Sequence, residues 1–173
     1  EGLSIRHEAR FVLIGSGNPE EGELRPQLLD RFGLSVEVSS PNNLDDRIEV
    51  IKRRDAFETN YDSFIKKWKR EDKKLRDKVL KAKENIGLIK VNDSMLEDCA
   101  KLCLALGSDG LRGELTLLRA TRALAAFNGK ESVSRDELRA VAPSALRHRL
   151  RRDPLDEAGS STRVTRVVDE ILK

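Results

Sequence analysis

A short α/β segment followed by an all-α helical bundle, mostly helix overall, is the fold class predicted by this 173-residue sequence. Three observations carry the prediction. Charged residues make up 36% of the chain and aromatic residues only 4%, a poor composition for sheets, which draw on aromatic and β-branched side chains. A short apolar run, Phe11-Val12-Leu13-Ile14 after Ala9-Arg10, stops at Gly15-Ser16-Gly17-Asn18-Pro19, as a buried strand does. From Ser40 onward the apolar period becomes helical.

The elements follow in order. Leu3 to His7 alternates and reads as one arm of a hairpin feeding the strand Phe11 to Ile14. Leu24 to Phe32 reads as a short helix that tolerates Pro26 in its first turn and stops at Gly33. Leu34 to Val38 alternates as a second strand. Ser40-Pro41 predicts an N-cap and first helical residue for a helix to about Phe57. Tyr61 to about Asn85 is a long charged helix with a narrow apolar stripe, broken by Gly87. Asn92 caps a helix in which Leu96, Cys99, Leu102, Cys103 and Leu106 share a face. Leu111 to Phe127 is the next helix, ended by Asn128-Gly129. Ser134 and Glu137 form a capping box for another, expected to reach Leu150 despite Pro143. A last helix covers about Thr162 to Leu172.

Several chemistries are excluded. No stretch of about 18 apolar residues exists, so there is no membrane span. Thirty-three basic residues against 30 acidic leave +3, a balanced surface that argues against nucleic acid as a partner. The basic run from Lys66 to Lys83 is interleaved with acids and reads as a solvated helix face. A phosphate-cradling loop needs Gly, four residues, then Gly-Lys-Ser/Thr. Gly129-Lys130 is followed by Glu131 and preceded by Leu124 where the first glycine belongs. Glu20 replaces the last glycine of a dinucleotide fingerprint at Gly15 and Gly17. His7 and His148 stand far apart, no Cys/His metal set exists, and Cys99 and Cys103 read as buried reduced thiols.

Three polar residues and one basic run remain. Asn18 follows the carboxyl end of a predicted strand, where open α/β sheets bind ligands; it can orient a water or a phosphate oxygen, or simply form the turn before Pro19. Arg31 either complements its short helix and pairs with Asp30, or reaches a neighbouring subunit's phosphate. Arg112 opens a helix, where a cation opposes the dipole. The same place suits an anion such as a nucleotide phosphate. Arg147-His148-Arg149-Leu150-Arg151-Arg152 is dense enough to bind an anion or an acidic partner, or to compensate a helix C-terminus.

Three stretches, Glu1 to His7, Arg10 to Gly22 and Leu24 to Gly33, together with Asp109 to Glu114 and Leu146 to Leu155, strongly resemble the ATPase I subunit of magnesium chelatase, an AAA+ family. The resemblance runs end to end and is least distinctive from about Ser40 to Val91. It implies that residues 1–40 are the C-terminal part of an AAA+ core, 41–60 a linker helix and 61–173 a helical lid. It implies Asn18 as sensor 1, Arg31 as an arginine finger at a subunit interface with Asp30, and Arg112 as sensor 2. ATP and Mg²⁺ are the implied cofactors. The Walker A loop and Walker B strand would lie upstream, so that the chain is the C-terminal half of the subunit and is inactive alone.

The implied activity is ATP hydrolysis in a ring of copies, coupled to Mg²⁺ insertion into protoporphyrin IX for (bacterio)chlorophyll synthesis. The implied partners are a larger ATPase-like subunit and, indirectly, a porphyrin-binding one. The cytoplasm, or the chloroplast stroma, would be the site. The alternatives are another AAA+ remodelling or metal-loading ATPase, and a non-catalytic helical interaction module.

Overall fold

The computed structural model describes residues 4–9, 11–18, 22, 24–108, 110–150 and 159–173. Seven α-helices are present among them: α1 (Pro26–Leu29), α2 (Leu44–Thr59), α3 (Tyr61–Asn85), α4 (Asp93–Ala105), α5 (Arg112–Phe127), α6 (Arg135–Leu146) and α7 (Gly159–Ile171).

The core lies between α4, α5, α6 and α7. Apolar residues at helical spacing turn one face of each helix inward: Met95, Cys99, Leu102, Cys103 and Leu106 on α4 and its cap; Leu117 and Ala125 on α5; Leu138, Ala142, Ala145 and Leu146 on α6; and Val164, Val168 and Leu172 along α7. Full burial of each Leu or Val contributes about 1.5–3 kcal/mol. Thr121 is a polar residue in this core, and its hydroxyl donates to the Leu117 carbonyl at 2.8 Å.

Local chemistry sets the helix ends. The Asn92 side chain accepts from the Met95 N–H at 3.0 Å, as expected of an N-cap. At the end of α4, Gly107 takes φ +66, and the N–H groups of Gly107 and Ser108 return to the carbonyls of Leu104 and Cys103. This is a Schellman closure. Gly129 and Lys130 repeat it on Ala126 and Ala125 after α5.

Asn60 alone joins α2 to α3. Its N–H closes α2 on the Ala56 carbonyl while its side chain accepts from the Ser63 N–H of α3. The two helices fold back on each other through Phe57, Tyr61, Phe64 and Trp68, whose rings meet edge-on or tilted. The Arg53 guanidinium sits 4.6 Å from the Trp68 ring centre. Neither helix has a fully buried residue. Further along, α3 turns against the bundle, where Lys78 lies 4.0 Å from the Phe127 ring centre and Ala82 packs on the core.

The structure revises some sequence expectations. The described parts of the two predicted strands, 11–14 and 34–38, carry no ladder, and Phe11, Val12, Leu13 and Ile14 are all exposed. A strand acquires its hydrogen bonds and burial from neighbouring strands, and the described residues offer none beyond an isolated bridge between Lys90 and Ser132. Helix α2 begins at Leu44 rather than Pro41, because Asn43 supplies the cap through its side chain to the Asp45 N–H at 2.8 Å. Helix α6 ends at Leu146 and tightens into a 3-10 turn, Arg147–Arg149. In the capping box, Ser134 Oγ donates to Glu137 Oε2 at 2.6 Å instead of the two side chains reciprocally bonding backbone N–H groups.

Candidate functional site

Residues 30–37 lie across one end of the bundle, over the first turn of α5 and the 3-10 turn after α6. Ser35 donates its N–H to the Ser144 carbonyl at 2.8 Å, Gly33 lies against Thr116 of α5, and Arg147 pairs with Glu37 at 3.4 Å. The Phe32 ring in turn lies beneath Gly15, where an added Cβ would stand 3.8 Å from it.

At the centre is Asp30. One carboxylate oxygen pairs with Arg112 Nη1 and the other with Arg149 Nη1. Arg112 is the first residue of α5 and its side chain is 57% exposed, whereas that of Arg149 is only 3% exposed. Two guanidiniums against one carboxylate leave the cluster with residual positive charge. It sits beside the N-terminus of α5, whose dipole adds to that potential.

Arg149 also grips the main chain. Its Nη1 donates to the Asp30 carbonyl at 3.0 Å and its Nη2 to the Phe32 carbonyl at 2.9 Å. Its Nε is satisfied by the Ala145 carbonyl at 3.1 Å. His148 Nε2 donates to the same Phe32 carbonyl at 3.0 Å. Burial pushes His148 below the ordinary imidazole range, and this outweighs the upward pull of the Phe32 carbonyl. The ring is therefore neutral near pH 7, with its proton on Nε2.

Of the sequence-predicted residues, Asp30 and Arg112 are brought into contact. Arg31, between the two gripped carbonyls, is exposed. Asn18 is exposed in the 11–18 stretch. Sequence reasoning missed the individual roles of His148 and Arg149. The only signal was the density of the 147–152 run, since a side chain bonding backbone carbonyls more than 110 residues away leaves no local pattern. Arg147, His148 and Arg149 turn toward residues 30–37 of this same chain. Arg151 and Arg152 lie outside the described residues. Cys99 and Cys103 are free and buried, and burial pushes their thiols up to about 11 and about 12. No group of three or more metal-ligating side chains occurs among the described residues.

The AAA lid domain family matches residues 96–171, the four-helix bundle just described. The magnesium-chelatase 38 kDa subunit of Cereibacter sphaeroides is 66% identical over 172 residues, covering 99% of this chain and 52% of that protein. Along nearly its whole length the chain is similar to the I subunit of magnesium chelatase. The chloroplastic magnesium-chelatase subunit ChlI-1 of Arabidopsis thaliana is 44% identical over 172 residues, 99% of this chain and 41% of that protein. The chain thus spans about half the length of the curated relatives it matches. A crystal structure of a candidate ATPase from Cytophaga hutchinsonii superposes with a TM-score of 0.58 at 20% identity, over 87% of this chain and 48% of that one. That likeness concerns the fold. No helix among the described residues is long and apolar enough to cross a membrane.

Proposed function

We propose that this chain is the C-terminal, lid-bearing half of an AAA+ motor subunit. It uses ATP to drive insertion of Mg²⁺ into protoporphyrin IX, in the cytoplasm or, in plants and algae, the chloroplast stroma. The observation that carries the reading is the ion pair between Asp30 and Arg112. It ties the first residue of a lid helix to the residue immediately before Arg31, so that two candidate phosphate-reading arginines share one small region.

The residues suit a nucleotide polyphosphate in part. Arg31 and Arg112 are exposed guanidiniums, the side chain best matched to phosphate oxygens, and α5 adds a helix N-terminus. The sequence has no glycine-lysine cradle, so the main holder of ATP belongs to the other half of the subunit. ATP supplies the phosphoryl group whose transfer to water drives the motor. Asn18 orients the attacking water or a γ-phosphate oxygen. Arg112 contacts phosphate and exchanges it for Asp30, so that the partner this lid arginine holds follows the nucleotide state. Arg31 enters the neighbouring copy's site and stabilises the charge of phosphoryl transfer, a role worth about 10³–10⁵ in rate. Head-to-tail contacts of this kind close into rings. The porphyrin belongs to a separate subunit, reached through a larger ATPase-like partner, and Mg²⁺ is both substrate there and companion of ATP here.

The test is Arg31→Ala in the full-length subunit. ATP binding should survive, hydrolysis should collapse, and mixing the variant into wild-type rings should lower turnover of the wild-type copies. Unchanged turnover in the mixed rings would remove Arg31 from the role of finger.

A further inference from the structure

We infer that Arg149 is the positioning residue for Arg31: it locks the backbone on both sides of that residue to the lid, so that lid and finger move as one body. The inference rests on Arg31 acting as proposed above, but its geometry stands independently. Arg149 donates to the carbonyls of Asp30 and Phe32, the residues flanking Arg31, at 3.0 and 2.9 Å. The same guanidinium pairs with the Asp30 carboxylate, and its neighbour His148 bonds the Phe32 carbonyl a second time. The side chain of Arg149 is 3% exposed and its Nε is anchored on the Ala145 carbonyl of α6. A planar guanidinium presents donors in a fixed fork, so it fixes the separation and orientation of the carbonyls it holds. A lysine ammonium is a point charge and cannot hold the same frame. Arg31 itself is thereby left exposed while its main chain is fixed. A side chain that must enter another copy's site needs that combination.

The arrangement differs from ordinary structural packing in what it holds. The bonds go to main-chain carbonyls around Arg31, so they constrain where its side chain starts, whatever residues stand at 30 and 32. Displacing a catalytic group by about 1 Å can cost about 10²-fold in rate. Arg149→Lys should therefore reduce hydrolysis in the full-length ring by about 10–100-fold while leaving the KM for ATP within about twofold.

The experiment has two arms. In the first, a nitroxide is attached to the thiol of Arg31→Cys in the present chain. Cys99 and Cys103 stay unlabelled because they are buried. Arg149→Lys should increase the label's mobility with helical content unchanged. If Arg149→Lys lowers helical content, Asp30→Asn on the exposed side of the cluster replaces it, and a smaller gain in mobility is expected. Unchanged label mobility in a folded variant overturns the inference.

In the second arm, turnover is measured in full-length rings carrying Arg149→Lys, Arg31→Ala or both. The double variant should be no slower than Arg31→Ala alone, and Arg149→Lys doped into wild-type rings should depress the wild-type copies' turnover. Additive losses, or a raised KM with unchanged kcat, overturn positioning in favour of a general structural role. Should Arg31→Ala leave hydrolysis intact while the label responds to Arg149→Lys, the finger reading fails and the mechanical link stands.

Discussion

Glu137 offers the sharpest quantitative test of how the lid is held together. It lies in the first turn of α6 and is 3% exposed. Burial alone would push its carboxyl up. Hydrogen bonds from Lys130, Ser134 and Asn128 overcome that and bring it down to about 2, from an ordinary 4.5. The geometry agrees: Lys130 Nζ lies 2.7 Å from Oε1, Asn128 Nδ2 3.2 Å from Oε1, and Ser134 Oγ 2.6 Å from Oε2. All three donors come from the α5–α6 connection, so the carboxylate staples the turn between α5, which carries Arg112, and α6, which leads into the 3-10 turn that holds Arg149. At about 1.4 kcal/mol per pH unit, the ionised carboxylate contributes about 3 kcal/mol at neutral pH. The sign follows from a folded pKa below the unfolded one: the contribution is full above about 4.5 and disappears as pH falls through about 2. Expected values are about 1.4 kcal/mol at pH 3 and under about 0.5 kcal/mol at pH 2. Glu137→Gln keeps the shape and removes the charge. Urea unfolding followed by circular dichroism should show a gap of about 2–3 kcal/mol between wild type and variant at pH 7, closing toward pH 2. A gap that stays constant from pH 7 to pH 2 would mean that packing, not charge, holds Glu137, and would refute the reasoning.

Other outcomes are expected at separate places. Gly113 sits where α5 passes the end of α4, and a Cβ there would stand 2.7 Å from Ser108 Oγ and 3.4 Å from Cys103 Sγ. Gly113→Ala should be neutral to within about 1 kcal/mol, since helix propensity offsets a clash that a turning hydroxyl relieves. Gly113→Val should cost about 2–3 kcal/mol by denaturant unfolding. Cys99 and Cys103, buried and with thiols pushed up to about 11 and about 12, should react with an aromatic disulfide at pH 8 only as fast as the bundle opens. A fast burst of labelling in the folded chain would contradict their placement. Trp68, the sole tryptophan, reports on the α2–α3 hairpin. Its fluorescence should change at a lower temperature than the helical signal, because neither helix of that hairpin buries a residue fully.

Much of the helical part was legible in the sequence because its signals are local. Asn92, Gly129 and the period of Leu102, Cys103 and Leu106 place helix ends and faces within a few residues. Helix α2 starts at Leu44 rather than at Pro41, as Ser40-Pro41 predicts, because the side-chain bond of Asn43 to the Asp45 N–H sets the cap. The strands at 11–14 and 34–38 were read from apolar pattern, but pairing is a property of neighbours and no pattern within one segment supplies it. At the candidate site, Arg112 was noticed because a cation at a helix start breaks a local rule. Arg149 breaks none. Its partners are main-chain atoms more than 110 residues away, so its role becomes visible only in three dimensions.

The single uninterrupted helix α3 has a mechanical consequence. From its seat near Lys78 on Phe127 back to Tyr61, it extends about 25 Å at 1.5 Å per residue. A tilt of the bundle by about 10° would carry the aromatic tip through about 4 Å if the rod stayed stiff. Small angular changes at the arginine cluster are therefore magnified at a distant part of the molecule, as by a pointer on a dial.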